Sequence, residues 1–215
     1  MNRLRAFAPA VLAAIFIAGS GAPAPAASEH VVLAGGCFWG MQAVFESVRG
    51  VTRVVAGFSG GAPYTAHYDL VSTGTTGHAE SVDVTYDPSK VSFEQLLDVY
   101  FLVAHDPTEL NYQGPDEGTQ YRSEIFYTNA QQRETAQLYI ASLTKRKVFA
   151  APIVTKLAPL AGFYPAENYH QDYLVHNPDS PYIVYNDLPK LRALRAKFPQ
   201  LTNESAAPMQ VIAKN

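Results

Sequence analysis

The chain has 215 residues, 47% hydrophobic and 16% charged, with a formal net charge of −3 and one cysteine, Cys37. That length buries one sizeable core and is short for two, so one globular domain is expected. No long run of Lys and Arg occurs, which argues against a nucleic-acid or anionic-membrane partner and for small-molecule or protein chemistry. A single cysteine excludes an intrachain disulfide. The six histidines show no pair at zinc-ligand spacing with a second cysteine, so no metal site is expected.

The N-terminus reads as a targeting segment. Arg3 and Arg5 precede an apolar run from Phe7 to Ala18, and a small-residue stretch ends in Pro25-Ala26-Ala27. This is the three-part form of a removable export signal, residues 1–27, with cleavage after Ala27. The apolar run is shorter than the roughly 20 residues of a membrane-spanning helix, so no membrane anchor is expected after cleavage. An Ala-rich leader points to export, into a bacterial periplasm.

The folded domain is expected over residues 28–201. Val31 to Leu33 is a short apolar strand stopped by Gly35-Gly36. Phe38, Met41, Phe45 and Val48 then recur at helical spacing until Gly50, which puts Cys37 at a helix N-terminus. Thr52 to Ala56 reads as a second strand. Gly57 to Gly77 is a long aperiodic loop whose Tyr64, His67 and Tyr68 suit a functional rather than a disordered segment.

From Glu80 strict alternation begins, with Val82, Val84 and Tyr86 on one face, as in a half-buried strand. Ser92 and Gln95 form a capping-box pattern before Phe93, Leu96, Leu97, Tyr100 and Phe101. Asp106-Pro107 ends that helix, and a second aperiodic loop runs from His105 to Gln120. A strand near Tyr121 to Tyr127, a helix from Ala130 to Lys147 and a strand from Ile153 to Leu157 follow. Tyr164 to Tyr185 reads as loop, and Leu188, Leu191, Leu194 and Phe198 mark a closing helix with Pro189 in its first turn. Residues 202–215 are expected to fray. The mixture lacks a regular βαβ rhythm and any dinucleotide or phosphate-loop fingerprint. It predicts an α+β fold, a two-layer α/β sandwich with a mixed sheet and long functional loops.

A thiol at a helix N-terminus faces unpaired N–H groups and the positive end of the helix dipole, which favour thiolate. Gly36 and Gly40 leave room for a substrate backbone, and Phe38 and Trp39 add an apolar wall. Such a site suits an electrophile carried on a small hydrophobic group. The bland reading is a buried cysteine among core aromatics, and helix spacing alone does not dismiss it.

The sequence Gly36-Cys37-Phe38-Trp39-Gly40 resembles the signature of the A-type peptide methionine sulfoxide reductases. Later segments resemble the same family in the same order: residues 74–80 (GTTGHAE), 86–88 (YDP), 105–108 (HDPT), 113–123 (QGPDEGTQYRS) and 163–171 (FYPAENYHQ). The resemblance covers roughly Val31 to Phe198. It implies thiol-dependent reduction of methionine S-sulfoxide, free or in proteins, to methionine through a Cys37 sulfenic acid, a protein-repair activity. Cys37 is then the nucleophile, Glu80 the acid, and Tyr68 and Tyr121 the hydroxyls holding the sulfoxide oxygen. Phe38 and Trp39 cup the substrate methyl, and Asp116 positions the substrate.

The departing oxygen needs a proton, which a carboxylic acid supplies near neutral pH only if burial raises its pKa. Each assigned residue also has a structural reading: Glu80 as a solvated charge, the tyrosines as packing, Asp116 as a turn former, and His78, His105 and His170 as loop-stabilising hydrogen-bond partners. Phe58 stands where relatives often have tyrosine and receives no hydroxyl role. The resolving cysteines many relatives carry near the C-terminus are absent. No bound cofactor is therefore expected, but an external thiol reductant is required, either a thioredoxin-like protein or a small thiol. The competing readings are a cysteine hydrolase pairing Cys37 with His170 or His78, and a non-catalytic aromatic-rich binding module.

Overall fold

The protein is described by a computed structural model over residues 27–214, so the expected export signal lies almost wholly outside the described residues. Six strands form one mixed sheet in the order β7-β6-β1-β3-β2-β8. All neighbours are antiparallel except β6 and β7. The fold is α+β, as the sequence predicts.

β1 (Glu29–Gly35) lies between β3 (Ala79–Tyr86) and β6 (Ser123–Tyr127). Its central position explains an apolar run with no polar alternate. Val31 and Leu33 enter the main core, while Val32 and Ala34 meet Ala79 and Phe126 on the opposite face. Beyond Gly35 the chain reverses at Gly36, whose φ of 90° suits glycine. α1 (Phe38–Glu46) starts at once. It is buried nearly all round, so it has no polar face and its position depends on tertiary packing. β2 (Val51–Ser59) runs three residues beyond the predicted Thr52–Ala56.

The long loop after β2 contains α2 (Tyr68–Val71), a single turn. α3 (Phe93–Val99) carries the predicted capping box: Gln95 N donates to Ser92 Oγ at 3.2 Å and Ser92 N to Gln95 Oε1 at 2.9 Å. It runs into a wider π-helical turn, Tyr100–Ala104. The second loop folds as a small hairpin, β4 (Tyr112–Gln113) and β5 (Asp116–Glu117), followed by a 3₁₀ turn, Thr119–Tyr121. α4 (Ala130–Lys145) is capped by Asn129, whose side chain accepts from Gln132 N.

β7 (Lys156–Pro159) begins three residues after the predicted start. The β-branched stretch before it is a connector, held where Val154 N donates to Pro107 O at 2.8 Å. The stretch read as loop contains β8 (Phe163–Pro165), α5 (Tyr173–His176) and a π-helical turn, Ile183–Asp187, that leads into α6 (Leu188–Lys197).

The expectation that residues 202–215 fray is corrected over residues 202–214; Asn215 lies outside the described residues. α7 (Ala207–Lys214) puts Met209 and Ile212 in the core, and Asn203 N donates to Ser47 O at 2.8 Å. Arg49 N donates to Leu201 O at 2.7 Å, so the tail is tied to the end of α1. Burial of two apolar residues at helical spacing stabilises a segment whose eight residues are too few to hold a helix alone.

Candidate active site

Cys37 is the N-cap residue of α1 but makes no side-chain cap bond. The open donor is taken by another strand: Phe38 N–H donates to Glu80 Oε2 at 3.1 Å. Glu80 reaches it from the start of β3, where it pairs in register with Phe58 of β2. The Cys37 thiol lies near enough to the Glu80 carboxyl for each group to shift the other's pKa. Both side chains are buried, Glu80 at 2% exposure and Cys37 at 7%.

This burial decides the electrostatics. Desolvation pushes Glu80 up to about 8; the Phe38 N–H pulls it down, Asp116 pushes it up and the neighbouring Cys37 thiol pulls it down. The carboxyl is mostly protonated at pH 7. Cys37 is also pushed well above the usual thiol range, first by burial, then by the Glu80 and Asp187 carboxylates. The expectation of a thiolate is thereby corrected. The helix terminus and the Trp39 N–H favour the anion, but they are outweighed by the loss of water and by neighbouring negative charge. The resting centre is a neutral thiol beside a mostly neutral acid.

The other assigned residues converge here. Tyr68 opens α2 and Tyr121 closes the 3₁₀ turn before β6. Burial first, then the Glu80 charge, raises both phenols, so both are neutral donors in the field of that carboxyl. Arg122 ties their supports together. Its Nη2 donates to Gly77 O at 3.0 Å, just before Glu80, and its Nη1 to Thr119 O at 2.9 Å, just before Tyr121. Its Nε donates to Glu124 at 2.6 Å.

Phe38 is fully buried against Phe58 and Tyr68, with ring centroids 5.8 and 6.5 Å away. It forms the floor behind the thiol rather than an exposed wall. Trp39 stacks on Tyr173 at 3.8 Å and meets Tyr182 edge-on at 5.6 Å. Its Nε1–H donates to His170 Nδ1 at 3.1 Å. Asp116 accepts from the Tyr182 hydroxyl and lines a cavity of about 80 Å³ with Cys37, Gln113, Asn186 and Lys190.

Tyr182, Asp187 and Lys190 were not singled out in the sequence. Asp187 is fully buried, with Lys190 Nζ 3.2 Å from its Oδ1 and no partner on Oδ2. The glycines of the motif serve this packing, not a substrate backbone. A Cβ on Gly40 would collide with Asp187 Oδ1, and one on Gly36 with the Gln113 side chain. The only local signal was the acid–base spacing of Asp187 and Lys190 at the start of α6. Among the described residues no group of His, Cys, Asp and Glu is arranged to hold a metal, and no helix is long and apolar enough to cross a membrane.

A lone buried thiol beside a buried carboxyl, with two neutral phenols in the field of that carboxyl, is an arrangement that can attack an electrophile and protonate the group it displaces. The family model for peptide methionine sulfoxide reductase matches residues 29–202. Peptide methionine sulfoxide reductase MsrA 2 of Mesorhizobium japonicum is 60% identical over 177 residues, 82% of this chain and 91% of the relative. The protein of the same description from a Synechocystis strain is 50% identical over 171 residues, 80% of each chain. Among solved structures, Mxr1 from Saccharomyces cerevisiae in reduced form superposes with a TM-score of 0.66 at 34% identity, over 73% of this chain and 90% of that one. Methionine sulfoxide reductase A of Corynebacterium diphtheriae gives 0.61 at 36% identity, over 70% of this chain and 76% of that one.

The chain belongs to the peptide methionine sulfoxide reductase family and is an oxidoreductase that reduces methionine sulfoxide. The hydrolase and binding-module readings are not supported.

Proposed function

We propose that Cys37 attacks the sulfur of a methionine S-sulfoxide while Glu80 protonates the departing oxygen. Tyr68 and Tyr121 donate hydrogen bonds to that oxygen. Trp39, over the Phe38 floor, meets the methyl group, and Asp116, held by Tyr182, orients the substrate. The supporting observation is the buried Glu80 carboxyl, which accepts the Phe38 N–H next to Cys37 and is pushed up to about 8 chiefly by burial, so that it holds a proton near neutral pH.

The proton balance follows from that placement. Glu80 gives its proton to the sulfoxide oxygen and receives the thiol proton of Cys37, so no charge is left in the buried centre. A bond forms between Cys37 Sγ and the substrate sulfur as the oxygen is protonated to a hydroxyl. The substrate S–O bond and the new Sγ–S bond then break, the hydroxyl passing to Cys37 Sγ as a sulfenic acid and the Sγ–S electron pair staying on the sulfur of the released methionine. The substrate sulfur gains two electrons and Cys37 loses two. Cys37 is the chain's single cysteine, so an external thiol must condense with the sulfenic acid and a second thiol must then release Cys37.

A thioredoxin-like protein or a small thiol fills that role, and no bound cofactor is needed. The leader composition supports export to a bacterial periplasm, cleavage near Ala27 and no membrane anchor afterwards. The activity test is methionine release from the separate sulfoxide epimers, free and in a peptide, with added thiol. Turnover of the S epimer that disappears in a folded Cys37→Ser variant is the expected result. Normal reduction by that variant contradicts the assignment.

A further inference from the structure

Trp39 is the chain's single tryptophan, and an indole N–H can only donate. It donates to Nδ1 of His170, so Nδ1 holds a lone pair and the ring proton sits on Nε2. His170 is thus held as one neutral tautomer. The ring is 2% exposed, and its Nε2 is a buried polar atom without a hydrogen-bond partner. Its centroid lies 5.0 Å from Phe38, 5.9 Å from Trp39 and 4.2 Å from Tyr68. One imidazole therefore packs against three side chains assigned to substrate and hydrogen-bonds one of them.

We propose that His170 is the positioning residue of the substrate site: as a neutral ring it fixes the plane of the Trp39 indole, and on protonation it releases that indole. The inference rests on Trp39 walling the site, as proposed above. A proton on Nδ1 sets two N–H groups against each other, and an attraction becomes a repulsion. The Tyr173 stack remains, so the indole shifts without unfolding α1.

The groups facing the imidazole are few. Glu167 and Tyr169 come from its own turn, Tyr68 from α2, and Phe38 and Trp39 from α1. Glu167, whose Oε1 accepts from Tyr68 N at 3.0 Å, favours the charged ring. Burial opposes it more strongly and holds His170 below the usual histidine range. Positioning is therefore complete near neutral pH and is lost as pH falls through that lowered value. Glu80, already protonated there, does not mask the change.

The single tryptophan makes the test direct, because a protonated imidazole beside an indole quenches its emission. Fluorescence of the mature enzyme is followed from about pH 8 to about pH 5, alongside KM and kcat. The wild type is expected to show a Trp39 transition below about pH 6.5, with KM rising through it. His170→Asn sets a non-titrating amide oxygen near the place of Nδ1; it should lose the transition and keep a near-normal KM. His170→Phe keeps an aromatic ring without an acceptor and should raise KM about 3- to 10-fold, with kcat little changed. Absence of the transition in the wild type, or its persistence in His170→Asn, overturns the inference. A transition that appears while KM stays constant with pH and in His170→Phe overturns instead the role of Trp39 in the proposed function.

Discussion

The two ends of α1 each hold a buried carboxyl whose pKa is pushed up to about 8, chiefly by loss of water. At the N-terminal end Glu80 accepts the Phe38 N–H and lies near a thiol beside a cavity. At the C-terminal end Glu46, the last residue of the helix, is pushed up further by the neighbouring Asp172 carboxyl. Asp172 is fixed there in a left-handed backbone conformation, φ 53°, with its N–H donating to Gln42 Oε1 at 2.9 Å. The helix dipole favours an anion at the first end and opposes it at the second. A displaced carboxyl pKa therefore does not by itself mark an active site. A nucleophile beside the acid separates Glu80 from Glu46.

The largest expected effect is at the N-terminal end. Glu80→Gln keeps a hydrogen-bonding group but has no proton to transfer, so single-turnover reduction should slow about 10²–10⁴-fold. A rate close to wild type removes Glu80 from the chemistry and breaks the comparison. Next is the segment that secures the opposite end. Met209→Ala removes a fully buried side chain of α7 and should cost about 2–5 kcal/mol in denaturant unfolding, with turnover per folded enzyme unchanged. An unaffected unfolding midpoint would mean that α7 contributes little to the fold.

The smallest effect is at Glu46. Its folded pKa is raised, so the folded state keeps a proton that the unfolded state has lost between about pH 4.5 and about pH 8. Its contribution is present below that window and lost as pH rises through it, by at most about 1.4 kcal/mol per pH unit. Glu46→Gln should flatten this part of the stability profile and leave turnover unchanged. An identical slope in the variant shows that the Glu46–Asp172 pair does not hold the proton.

The features legible in the sequence were those with a local period or a local partner. The Val31–Leu33 strand ahead of Gly36, the alternation after Glu80 and the Ser92–Gln95 box all depend on residues a few positions apart. α2, α5, β8 and the π-helical turns are too short to set up a period. α7 forms because Met209 and Ile212 find an existing core. At the site, the resemblance assigned Cys37, Glu80, Tyr68, Tyr121 and Asp116, which the fold brings together. It gave no sign of Asp187 seated against Gly40, a contact between distant parts of the chain. The state of Cys37 was misread for the same reason: the helix end is local, whereas burial and the Glu80 charge come from tertiary packing.

The claim that Cys37 carries the oxygen away as a sulfenic acid is tested most directly by stoichiometry. Enzyme with a free Cys37 is mixed with excess methionine S-sulfoxide in the absence of any thiol, and methionine release is measured with mass spectrometry of the Cys37 peptide after dimedone trapping. The expected result is one methionine per enzyme and dimedone-labelled Cys37, with further turnover only on adding a thiol. Continued methionine formation without reductant while Cys37 remains a free thiol would contradict the account.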